Sequence, residues 1–169
     1  MQHVSKTAAI ALVAALTFTP VLAKQVQFRN AGPAFNLTLP HNWTSTAIKN
    51  GIEIASADNE VIIWIQGIAP DRLNAAIDEY IAYYESQGVR PTGPLRSNQQ
   101  TIQGVPVIGM TVPATWKGKP TIVQFLQVAV VSDNTAGKLI LVGYWASPEG
   151  DAKHNAAVSR LMAETVLRR

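Results

Sequence analysis

Two apolar runs in the last third of the chain set its frame. Residues 121–131 and 139–146 are rich in β-branched and aromatic side chains, which fit a pleated surface. The polar segment 132–138 between them carries an Asn and a Gly suited to a turn. The first run does not alternate between apolar and polar positions. Ile122, Leu126, Val128 and Val130 fall on one side of the strand, and Val123, Phe125, Ala129 and Val131 on the other. A strand that is apolar on both sides needs cover on both sides. The pattern predicts a long hairpin at the centre of a sheet, with layers above and below it.

The remaining pattern supplies those layers. Residues 24–29 read as a short edge strand. Phe35, Leu37 and Leu39 alternate with Asn36 and Thr38, the mark of a half-buried strand. Lys49-Asn-Gly51 is a hairpin turn in which Asn-Gly supplies positive φ. The strand Ile52-Glu-Ile-Ala-Ser56 follows, with Glu53 pointing out to the surface. A turn at 57–60 then leads into the wholly apolar Val61-Ile-Ile-Trp-Ile65. Pro70 and Asp71 open a helix whose apolar stripe is Leu73, Ala76, Ile77, Tyr80, Ile81 and Tyr84, closed by Gly88 as a left-handed cap. Residues 99–112 form two strands about a turn at Gln103-Gly104, with Pro106 marking an edge or bulge. Ser147, Pro148 and Glu149 are a favoured cap, first residue and first-turn acid for a last helix over 148–167. The class is α+β: a three-layer α/β/α sandwich, a mainly antiparallel sheet with an amphipathic helix on each face.

The amino-terminal residues fall outside this pattern. One lysine, an apolar stretch over 7–18, Pro20 and Val21-Leu-Ala23 have the layout of a secretory signal peptide cleaved after Ala23. Residues 24–169 then form a single domain, and the protein is expected in the periplasm or outside the cell. The apolar stretch is too short for a membrane span. The chain has no cysteine, which removes thiol catalysis, thiolate metal sites and lipid anchoring through an acylated cysteine. Fourteen Lys and Arg face 11 Asp and Glu, a net of +3 that loses Lys6 with the leader. No basic cluster exceeds two residues, so the dense cationic face that nucleic acid needs is missing.

Phe35-Asn-Leu-Thr-Leu-Pro-His-Asn-Trp43 resembles the opening motif of the PsbP-like superfamily, an apolar strand followed by Leu-Pro, Asn and Trp. The order of a strand pair, a helix, an antiparallel meander, a long hairpin and a last helix completes the likeness to this family, which includes the Ran-binding Mog-type factors. The resemblance implies the sandwich already read from the pattern. It also implies an accessory, binding or assembly role without catalysis.

Motifs for chemistry are sparse. There is no Gly-x-Ser-x-Gly, no His-x-His, no His-Glu-x-x-His and no glycine-rich phosphate loop, so no catalytic, metal or cofactor site is expected. His154 reads as a solvated helix residue. His41 stands at a strand end near Trp43, where it packs on an indole or serves as a ligand. Trp116 abuts Lys117 and Lys119 at a turn; it packs under a helix end, or it is an exposed indole beside two cations that suits a partner surface or an acidic ligand. Tyr144 and Trp145 face opposite sides of one strand, leaving one of them accessible. The candidate binding residues are therefore His41, Trp43, Trp116, Lys117, Lys119 and Trp145. The expected function is a periplasmic accessory protein that engages a protein partner in envelope assembly or secretion. The alternative is a carrier of a small hydrophobic ligand or lipid, held in a Trp- and Tyr-lined cleft between helix and sheet. A hydrolase using His41 is a third, weaker reading.

Overall fold

The computed structural model describes residues 23–28, 35–102, 104–129 and 139–167. Of the leader expected over 1–23, all but Ala23 lies outside them, as does the connector 132–138. Strands β1 (Ala23–Phe28) and β2 (Phe35–Pro40) pair as a separate antiparallel ribbon. The main sheet holds β3 (Thr44–Ile48), β4 (Gly51–Ala55), β5 (Val61–Ile68), β6 (Val89–Pro91), β7 (Arg96–Ile102), β8 (Val105–Trp116), β9 (Lys119–Ala129) and β10 (Leu139–Ala146). Its order is β3-β4-β5-β10-β9-β8-β6, with β7 beside β6 on the outer edge of β8, and its pairings are antiparallel. Helix α1 (Leu73–Ser86) follows a 3-10 turn at Pro70–Arg72, and α2 (Pro148–Leu167) closes the described chain.

The hairpin read from the two apolar runs is β9–β10, at the middle of the sheet. Every residue of β10 is buried. Alternate residues divide between two cores. On the α1 side, Trp64, Phe125, Leu141 and Trp145 meet Ala76, Ile77, Tyr80 and Tyr84. On the α2 side, Ile63, Leu126, Val128, Ile140 and Val142 meet Val158, Leu161 and Val166. The expected α/β/α sandwich is the observed architecture.

Helix α2 does not cover its face alone. Leu37 and Leu39 of the β1–β2 ribbon are fully buried in the same core, so the ribbon extends that layer. Cover stops short of the sheet's far edge. Six of the seven β7 residues are exposed, and Ile122, expected to be sheltered, is 40% exposed. The helix contacts β5, β10 and β9; Val105 and Val107 of β8 are buried in the same core, and the open part of this face is the stretch of β7 and β8 around Asn98, Gln100 and Thr111.

The turns follow the sequence with one change of role. Asn50 takes the positive φ of the β3–β4 turn, at 56°, whereas Gly51 is already in β4. A Cβ on Gly51 would sit 2.4 Å from the carbonyl oxygen of Ile65, so this glycine serves close strand approach. Lys117 and Gly118 both have positive φ, at 50° and 76°, as in the mirror-image hairpin turns whose twist matches the strands they join. The β8–β9 ladder begins at Ile108, which leaves Pro106 outside it and paired with β7 alone.

Candidate functional site

One end of the sheet gathers most of the residues singled out from the sequence. The β2–β3 turn, the β4–β5 turn, the β8–β9 turn and the first turn of α2 meet there. Ser147 builds the junction. Its backbone N–H donates to the Glu60 carbonyl at 2.8 Å. Its hydroxyl donates to the Glu60 carboxylate and accepts the Gly150 N–H at 2.9 Å, capping α2. Beside it, the Asp58 carboxylate accepts hydrogen bonds from Lys153 Nζ at 2.6 Å and Ser56 Oγ at 2.6 Å, and lies 3.0 Å from His154 Nε2. Those contacts, Lys153 foremost, then Ser56 and His154, hold the Asp58 carboxyl well below the usual carboxylate range.

His154 is therefore not the solvated helix residue expected. Its side chain is 13% exposed and packs edge-on against Trp43, with ring centroids 5.4 Å apart. The indole partner is the helix histidine, brought from 111 positions away by folding, and His41 stays exposed in the turn. Trp43 itself is 3% exposed and belongs to the α2-side core.

Trp116, Lys117 and Trp145 form a second group at this end. Lys117 Nζ sits 4.0 Å from the centre of the Trp116 ring, a cation over an aromatic face. The half-buried Trp116 stands edge-on against Trp145, at 5.4 Å and 66°. Tyr144 and Trp145 are both buried, at 4% and 2% exposed, contrary to the expectation that one is accessible. Strand β10 has cover on each side, so neither face opens. Lys119 pairs with Glu149 in the first turn of α2, and this contact lowers the Glu149 carboxyl.

Between that turn and the helix start lies a cleft of about 340 Å³, lined by Pro120, Ile122, Tyr144, Ala146, Pro148 and Asp151 among others. The Tyr144 hydroxyl donates to Asp151 at 2.6 Å, and burial followed by this bond pushes its ionisation well above the usual phenol range. The cleft is apolar along Pro120, Ile122 and Pro148. One charge pair, Lys119–Glu149, stands at its side.

The interface under α1, the Trp- and Tyr-rich one of the two helix–sheet interfaces in which the carrier alternative puts its cleft, is filled with rings. Trp64 stacks on Tyr84 at 5.2 Å and lies 4.3 Å from Tyr80 and 4.4 Å from Tyr83. Glu53 points into this layer and accepts the Trp64 Nε1–H at 2.5 Å, so its reading as a surface residue is corrected. Strand parity places Glu53 opposite the Ile52 and Ile54 face, but that second face is the α1 core and not solvent. Tyr84 Oη and Trp145 Nε1 are buried there without a hydrogen-bond partner among the described residues.

The Ser56 hydroxyl donates to the Asp58 carboxylate and not to an imidazole, so the serine is not placed against the base that would activate it. Among the described residues no three His, Asp or Glu side chains cluster as metal ligands, and no helix is long and apolar enough to cross a membrane.

This fold is PsbP-like. The chain is similar in structure to cyanobacterial PsbP (CyanoP) from Synechocystis sp. PCC 6803, with a TM-score of 0.53 at 7% identity, over 90% of this chain and 96% of that one. It also aligns with the Ran-binding protein Mog1p of Saccharomyces cerevisiae, with a TM-score of 0.45 at 11% identity over 86% and 87% of the two chains. LpqN of Mycobacterium tuberculosis, involved in cell envelope biogenesis, gives 0.46 at 14% identity over 82% and 87%. No family model and no curated protein matches the sequence. The resemblance first read from residues 35–43 is thus upheld at the level of fold.

Proposed function

We propose that this protein is a non-enzymatic accessory protein of the bacterial envelope, exported by its leader, that docks a protein partner at the end of the sheet where α2 begins. The observation that carries the reading is the cleft beside Ile122. A large aliphatic side chain, 40% exposed, shares the cleft with two prolines beside a Lys–Glu pair, and the Lys-on-indole turn stands at the same end of the sheet. An apolar centre with a charged rim is the make-up of a protein contact surface. The PsbP-like fold fits an accessory role.

The test is capture from envelope extract with wild type, Ile122→Glu and Lys117→Glu, each first shown to keep the wild-type melting temperature. A partner held by wild type and lost by both variants is the expected result. Recovery of the same proteins by all three would overturn the reading.

A further inference from the structure

The α2 side of the sheet has an open part that the partner reading does not use. Where β7, β8 and β9 run out beyond α2, a groove of about 270 Å³ lies against the sheet. Asn98, Gln100, Thr111 and Gln124 line it, and Tyr144 and Met162 bound it toward the helix. We infer that this groove binds a neutral, hydroxyl-rich ligand of the saccharide class.

Three observations support the inference. First, none of the described residues lining the groove carries a formal charge, although 15% of the chain is charged. Arg96, cross-strand from Thr111, is the charged neighbour on this face and stands outside the lining. Second, the floor is cleared for the amides. A Cβ on Gly109 would lie 2.6 Å from Gln100 Nε2 and 2.9 Å from Asn98 Oδ1. Both side chains thus fold inward over the glycine, onto the sheet, and any larger residue at 109 would push them out. Third, the chemistry matches. Each carboxamide offers a donor and an acceptor side by side, and a hydroxyl such as that of Thr111 does both at one atom. A sugar ring presents the same pairs around its edge, and its C–H face suits the half-buried Met162 thioether. An extended peptide is a poorer match, because it adds to a sheet edge through main-chain bonds, whereas these groups are side chains on a broad face.

Tyr144 also lines the cleft at the start of α2, so the groove and the cleft adjoin. The groove alone, at about 270 Å³, is close to the lower end of the size range of small-ligand sites, roughly 300–1,000 Å³. The inference stands apart from the partner reading, since it rests on Gln100 and Gln124 and not on Ile122 or Lys117.

The experiment is an amide NMR titration of the protein with maltotriose, with N,N′-diacetylchitobiose and with a neutral pentapeptide. Shifts confined to the strands around Gln100, Gly109 and Gln124, at a Kd of about 1 mM or tighter for a sugar, are expected. The Gln100→Ala/Gln124→Ala variant weakens that binding by about tenfold or more, as does Asn98→Ala/Gln124→Ala, while Ile122→Glu leaves it unchanged. The inference is overturned if neither sugar shifts these residues up to about 20 mM, if both double variants bind as wild type, or if only the peptide binds.

Discussion

Gly150, in the first turn of α2, offers a test in which two effects oppose each other in sign. Helix propensity alone makes Gly150→Ala stabilising, by up to about 1 kcal/mol. Fit predicts the reverse. A Cβ at this position would lie 2.5 Å from the Glu60 carbonyl oxygen and 2.9 Å from its carbonyl carbon. Those are backbone atoms of the β4–β5 turn, which cannot rotate aside as a flexible side chain can. Relief requires the helix start to lift, and the bond from the Ser147 N–H to Glu60 at 2.8 Å then stretches. Overpacking of this kind costs about 1–3 kcal/mol, and a contact to fixed backbone belongs at the upper end. Set against the propensity gain, a net loss of about 1–2 kcal/mol is expected. Urea denaturation reads it as a lower midpoint with an unchanged slope. Ala152→Gly, at an exposed site two residues on, measures the propensity term in the same helix and should lose about 0.5–1 kcal/mol. If Gly150→Ala equals or exceeds wild type while Ala152→Gly falls as stated, the argument that this glycine is held by close approach is wrong.

Two further outcomes follow from the polar contacts. Glu53→Ala removes the acceptor of the Trp64 Nε1–H, whose indole is 5% exposed, and should cost about 1–3 kcal/mol in thermal denaturation. Glu53→Gln keeps an acceptor oxygen and should lose less; equal losses for the two would refute the hydrogen-bond account. Asp58 has a folded-state pKa below the unfolded value of about 3.9, so its contribution is complete above that value and fades as pH falls from it toward the folded value. Asp58→Asn should therefore be less stable than wild type at neutral pH, show a shallower loss between about pH 5 and pH 2, and approach wild type at the acid end. Parallel stability curves for the two proteins across that range would rule out the Asp58 linkage.

The elements were legible in the sequence because their signals are local. The period of two in residues 35–39, the stripe from Leu73 to Tyr84, the cap at Ser147 and the positive φ at Gly88 each need only neighbouring positions to be read. The double-sided character of β9 and β10 was also visible, since an apolar run cannot leave one face in water, and it sufficed to demand two covering layers. Of the candidate site, only the group of Trp116 with Lys117 was legible, because the two adjoin in sequence and share a turn.

The other contacts required the fold. Alternation shows that Glu53 opposes Ile52 and Ile54, but not that its side faces a layer of stacked rings. Nothing near His154 announces Trp43 or Asp58, which reach it from the second and fourth strands' turns. The open groove depends on where α2 stops across the sheet, and that is set by how the β1–β2 ribbon and the helix share one face. The sequence by itself determined which segments become strands and helices and that the sheet needs shelter on both sides, since backbone preference and hydrophobic period act over a few residues. Only the tertiary structure decided which polar groups meet and which part of the sheet stays bare, since those depend on the register and extent of packing between segments far apart in the chain.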